Sequence, residues 1–91
     1  MAAPYRVELT KSAQKEYGCL PAAVQKRVVE ALKILAQSPF TELLKIKKLK
    51  GADSLYRIRF GDYRLVYEIR QNVLILLVIK IGHRKEVYRS L

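Results

Sequence analysis

Ninety-one residues, 51% of them hydrophobic and with only four Gly and three Pro, describe one globular domain over 1–91, not a disordered or two-domain chain. Eighteen Lys and Arg against eight Asp and Glu leave a formal charge of +10, which points first to nucleic acid and only then to an acidic protein or an anionic membrane surface. One cysteine and one histidine exclude an internal disulfide and a zinc ligand set, and the longest apolar run, Val73 to Ile79, is far too short to span a bilayer, so a cytoplasmic protein with no metal, small-molecule cofactor or membrane partner is expected.

The chain opens with a predicted strand over Tyr5 to Leu9, where Tyr5, Val7 and Leu9 alternate with Arg6 and Glu8. Thr10 then offers an N-cap oxygen for a helix from about Lys11 to Gly18. Pro21 sits at the first turn of a second helix running to about Gln37, with Val24, Val28, Leu32 and Leu35 on one stripe. These two helices are expected to form a hairpin on the sheet. Ser38-Pro39 ends the second helix. Residues 40–54 read as a connection with at most one helical turn, crowding Lys45, Lys47, Lys48 and Lys50. Three strands follow, Leu55 to Phe60, Tyr63 to Arg70 and Val73 to Ile81, joined by two-residue turns at Gly61-Asp62 and Gln71-Asn72. The fold class is therefore α+β, in the order β-α-α-β-β-β. It comprises a mostly antiparallel four-stranded sheet packed by an N-terminal helical hairpin, with the first strand antiparallel beside the last and a short polar tail.

A two-residue turn at Gly61-Asp62 fixes the register of its hairpin, placing Phe60 opposite Tyr63, Arg59 opposite Arg64, Ile58 opposite Leu65 and Arg57 opposite Val66. One face then carries Tyr56, Ile58, Phe60, Tyr63, Leu65, Tyr67 and Ile69 for the core. The other carries Arg57, Arg59, Arg64, Val66, Glu68 and Arg70, facing solvent. Opposed like charges such as Arg59 and Arg64 cost a few tenths to about 1 kcal/mol. A solvated basic face relieved by Glu68 is the plain reading. Against it stands the tail, which brings His83, Arg84 and Tyr88 out of the sheet beside the same hairpin.

No carboxylate dyad, Ser/His/Asp set or phosphate loop is present, so hydrolysis by paired acids is excluded. Clustered arginines instead grip phosphates and stabilise charge growing on phosphorus. RNA carries its own nucleophile, the 2′-hydroxyl, and cutting it without metal needs a base for that proton and an acid for the departing 5′-oxygen. His83 has the side chain suited to that work near neutrality, with Tyr88 as a second candidate.

YRIRFGDYRLVYEI followed by IGHRKEVYR, in this element order, resembles the RelE/ParE superfamily of toxins from toxin–antitoxin pairs over nearly the whole chain. In RelE-like members, ribosome-dependent mRNA interferases, the active face uses two basic residues on the strand before the hairpin turn, an arginine after it, and an arginine and a tyrosine in the tail. The resemblance places these at Arg57, Arg59, Arg64, Arg84 and Tyr88. It implies A-site cleavage leaving a 2′,3′-cyclic phosphate and a 5′-hydroxyl. It implies as partners a cognate RelB-like antitoxin, the ribosome (rRNA) and mRNA, with Lys45, Lys47, Lys48 and Lys50 as further RNA or ribosome contacts. Arginines stand at 57 and 59 where the best-known member has lysines, and His83 falls where YoeB-like members place a catalytic histidine. His83 is therefore the expected proton-transfer residue, with Tyr88 stacking or assisting. The alternatives are a ParE-like inhibitor of DNA gyrase without nuclease activity and a non-catalytic RNA-binding module.

Overall fold

Thr10 caps the first helix as its chemistry predicts: its hydroxyl oxygen accepts from the Ala13 N–H at 3.1 Å. In the computed structural model, which describes residues 4–39, 41, 44, 46–49 and 54–83, β1 spans Arg6–Leu9, α1 Lys11–Gly18 and α2 Ala22–Gln37. Both helices begin and end within a residue of their sequence-predicted limits. Along α2, Val28, Ala31, Leu32 and Leu35 are buried, one stripe at helical spacing. β3 (Leu55–Phe60), β4 (Tyr63–Arg70) and β5 (Ile75–His83) follow, after a short β2 at Ile46–Lys48. The α+β class is as expected.

Among the described residues the sheet has five strands in the order β1-β5-β4-β3-β2, one more than predicted. β2 lies in the segment expected to be a loop with a helical turn. Three residues are too few to carry a periodic signal, and it is pairing with β3 that makes them a strand. A second difference concerns β1, which runs parallel to β5, with Arg6 opposite Ile75 and Leu9 opposite Val78. The Tyr5 N–H donates to the Ala36 carbonyl at 2.7 Å, so α2 returns the chain to the end of the sheet where β1 began. β3 starts from that same end, since the Ile69 N–H bonds to the Ser54 carbonyl, and two hairpins later β5 travels with β1.

α1 lies beside β5 where β1 stops. The Thr10 hydroxyl donates to the Ile79 carbonyl at 3.2 Å, and the Ile81 N–H donates to Glu16 Oε1 at 3.1 Å. Glu16 Oε2 also pairs with Lys80 Nζ at 2.6 Å. The helix thus satisfies edge groups that a longer β1 would otherwise have bonded. A bulge between Val66 and Tyr67 leaves Ile79 as the extra residue of β5.

The β3–β4 register is the predicted one at every position, and Gly61 takes a φ of 63°, the left-handed backbone that such a turn requires. The β4–β5 turn is longer than expected. Val73 and Leu74 belong to it rather than to the strand and are 53% and 39% exposed, with Leu74 itself at φ 54°. On the helix-facing side of the sheet, Ile58, Leu65, Tyr67 and Ile69 are buried with Leu76, Val78, Ile81 and the α2 stripe, while Tyr56 and Tyr63 pack against them half-buried. The side chain of Phe60 lies outside the described set.

Tyr67 brings a polar atom into this core. Its hydroxyl is buried and meets no hydrogen-bond partner among the described residues, while its ring stacks on Tyr56 at 6.0 Å. Tyr67→Phe is therefore expected to raise unfolding free energy by about 1 kcal/mol, read as a higher urea midpoint at unchanged slope. Burial first, then Tyr56, pushes the Tyr67 pKa upward from 10.0. A raised folded-state pKa means that ionisation adds no further cost below about pH 10 and erodes stability as pH climbs beyond, because only the unfolded chain ionises readily. The Phe variant is expected to lose less stability in that alkaline range.

Candidate nucleic-acid interface at the hairpin end of the sheet

Across the sheet, away from the helices, two rows of residues carry the candidate site. Opposed pairs share a face, with side-chain roots about 5 Å apart. The first row runs Lys47, Arg57, Val66, Lys80, and the second Arg59, Arg64, Gly82. Lys47 therefore stands beside Arg57, joining the lysine run to the arginines that the sequence reading kept apart. The missing signal was β2, since without that strand nothing fixes which side of the sheet a lysine in the connection takes. Lys48, opposite Tyr56, is exposed at the same edge.

Arg59 is exposed and Arg57 is half-buried. Arg64 departs from expectation: it is only 4% exposed, and Val66 beside it is fully buried. β4 is the middle strand, flanked on both sides, and its buried residues fall on both of its faces. The Arg64 guanidinium folds back on the turn, Nη1 donating to the Tyr63 carbonyl at 3.1 Å and toward the Gly61 carbonyl at 3.4 Å. Among the described residues its buried Nε has no hydrogen-bond partner and no carboxylate pairs with it. Nor does Glu68 relieve the Arg59–Arg64 repulsion, since its carboxylate is engaged by Arg70 two residues along its own strand. A cation held this way is desolvated and meets no counter-charge among the described residues, which primes it for an anion.

His83 does not join the arginines. It pairs with Tyr63, one residue out of step with the Arg64–Gly82 pair, so it lies on the helix-facing side with its ring 5.9 Å from that of Tyr63 at 72°. The period of two along β5 decides this, and it became legible only once the bulge at Ile79 set the register. Arg84, Tyr88, Lys45 and Lys50 lie outside the described residues. No cluster of three His, Cys, Asp or Glu able to hold a metal occurs among the described residues, and no helix there is long and apolar enough to cross a membrane.

Known proteins share this architecture. The family model for the ParE toxin of type II toxin–antitoxin systems matches residues 7–88. Toxin RelE3 of Methanocaldococcus jannaschii is 32% identical over 91% of this chain and 94% of its own length. The mRNA interferase toxin RelE of Escherichia coli K12 is 32% identical over 92% of this chain and 90% of its own. Among solved structures, the archaeal RelE–RelB complex from Pyrococcus horikoshii superposes with a TM-score of 0.79 at 33% identity, covering 89% of this chain and 96% of that one. The intact E. coli RelBE toxin–antitoxin complex gives 0.76 at 28%, covering 87% and 95%. The chain belongs to the RelE/ParE family of toxins from type II toxin–antitoxin systems.

Proposed function

We propose that this toxin is a ribosome-dependent endoribonuclease that cuts mRNA in the A site. The observation that carries the reading is the convergence of Arg57, Arg59, Arg64 and Lys47 on one side of the hairpin end of the sheet. In this mechanism the 2′-hydroxyl loses its proton and its oxygen attacks the adjacent phosphorus. The bond to the 5′-oxygen breaks, that oxygen takes up a proton, and the products are a 2′,3′-cyclic phosphate and a 5′-hydroxyl. Arg57 and Arg59 orient the phosphate. Arg64 stabilises the phosphorane after leaving the turn carbonyls, because bidentate charge-assisted bonds to phosphate are stronger than those to neutral carbonyls. Arg84 adds a further cation. With His83 on the helix-facing side of the sheet, proton transfer falls to Tyr88, whose phenol can give up and take back a proton.

Lys47 and Lys48, together with Lys45 and Lys50, contact rRNA, supplying the sequence-independent attraction that a small domain needs to dwell in a cleft of the ribosome. A RelB-like antitoxin is the proposed partner that silences the toxin, as the assemblies of its structural relatives suggest. On programmed ribosomes the purified protein is expected to cut at the A-site codon and to leave the same RNA largely intact when ribosomes are omitted. The ParE description of the family model supports a second reading, inhibition of DNA gyrase without chemistry. Loss of gyrase supercoiling with no cutting on ribosomes would establish that second reading and remove the first.

A further inference from the structure

A cleft of about 600 Å³ opens on the helix-facing side, between the α1–α2 junction and the ends of β4 and β5. Its size falls within the about 300–1,000 Å³ typical of small-ligand sites. The half-buried rings of Tyr63 and His83 form one wall, set edge to face, so the ring that offers its edge does not use its own faces in the pair. Leu20 and Pro21 supply an apolar shelf opposite, and Lys15 stands exposed on the rim. Glu16 completes the site. Its two oxygens already accept from the Ile81 N–H and Lys80, and each keeps an acceptor position.

Charge decides between ligand classes. Lys80 is neutralised by Glu16, which leaves Lys15 as the lining cation without a carboxylate among the described residues. An inorganic phosphate would meet one exposed lysine beside a carboxylate, a poor anion site. A nucleotide matches the same groups better: the base stacks on an aromatic ring and lies on the Leu20–Pro21 shelf, a base amino group donates to Glu16, and the phosphate reaches Lys15. Tyr63 and Arg64 are consecutive on β4, so the cleft and the arginine face stand back to back at one end of the sheet, separated by the exposed Gly61-Asp62 turn.

We propose that this cleft takes one unstacked nucleobase of the RNA strand whose neighbouring phosphate lies on the arginine face, the strand passing over the Gly61-Asp62 turn. The RNA source rests on the nuclease reading, whereas base binding in the cleft stands apart from it. His83 is then a base-stacking residue that helps to choose which nucleotide is presented.

The test is a titration of the isotope-labelled full chain, following backbone amide resonances, with inorganic phosphate, GMP, UMP and a short RNA oligonucleotide in separate series. Millimolar GMP is expected to shift Lys15, Glu16, Leu20, Gly82 and His83, with UMP weaker for want of an amino group and phosphate alone without effect there. The oligonucleotide should bind more tightly than GMP and shift Arg59 and Arg64 as well. His83→Ala should weaken GMP binding about tenfold, and Lys15→Ala, an exposed change that spares the fold, a few-fold. No GMP shift in the cleft, the same shifts from phosphate, or full affinity in both variants would overturn the site. Equal affinity for GMP and oligonucleotide would overturn the RNA source in favour of a free nucleotide. Because none of these readings needs a ribosome, absence of cutting with cleft binding intact would count against the nuclease reading and the RNA source that rests on it, and not against base binding in the cleft.

Discussion

Arg64→Met is expected to cut mRNA on programmed ribosomes about 10²–10³-fold more slowly in single turnover, a loss of about 2.7–4 kcal/mol of transition-state stabilisation. It is also expected to fold at least as stably as the parent. The two effects have one cause. Arg64 is buried to 4% exposure and, among the described residues, bonds only to turn carbonyls, leaves Nε without a partner and meets no carboxylate, so the fold holds a desolvated cation that no described carboxylate compensates. A methionine of similar length fills the space without that penalty, and replacing a buried charge by an apolar side chain is commonly neutral or stabilising, here by up to about 2 kcal/mol. The turn carbonyls it releases belong to Gly61 and Tyr63, at a chain reversal that water can reach. Chemical denaturation and ribosome cutting measured on the same sample decide the matter. A clear fall in stability would make the guanidinium a prop for the turn, and unchanged cutting would remove it from the chemistry.

Tyr88→Phe is expected to slow the chemical step by about 10²–10⁴-fold, the usual worth of a positioned proton-transfer group, while His83→Gln slows it less than tenfold. The asymmetry follows from the β4–β5 register, which sets His83 beside Tyr63 and turns it from the Arg59–Arg64 row. Single-turnover rates at saturating toxin separate the step from binding. A larger effect of the histidine change would mean that the end of β5 rearranges on the ribosome to carry His83 across to the arginines.

Much of this arrangement is written in local pattern. Thr10 and Pro39 bracket the helices, and Gly61-Asp62 fixes the hairpin register residue by residue, because a two-residue turn with a left-handed glycine leaves no freedom in the pairing. What local pattern lacks is information about neighbours distant in the chain. β2 is a strand only because β3 lies beside it, and Lys47 joins the site for the same reason. The parallel course of β1 depends on where α2 ends in space, which the Tyr5–Ala36 bond records and no periodicity does. Arg64 and Val66 are buried although amphipathic alternation assigns them to solvent, because alternation records which face a residue takes and not what lies over that face. The face that His83 takes is hidden for a smaller reason: one bulged residue in β5 lies before it, and no feature of IKIGH announces a bulge.

The pairing of β1 with β5 also bears on when the protein comes into being during its own synthesis. Residues 6–9 find their sheet partner at 75–78, and Thr10 and Glu16 bond to residues 69 and 65 positions further along. The β3–β4 hairpin that bears the arginines precedes its other neighbour in the chain, and a lone two-stranded hairpin is marginal in water. A nascent chain that has not yet delivered β5 therefore has neither a closed core nor a settled cationic face, and such long-range pairing is slow to form once it becomes possible. For a toxin, a competent fold then waits on the delivery of β5, leaving an interval in which a partner can meet the chain before its cationic face is set.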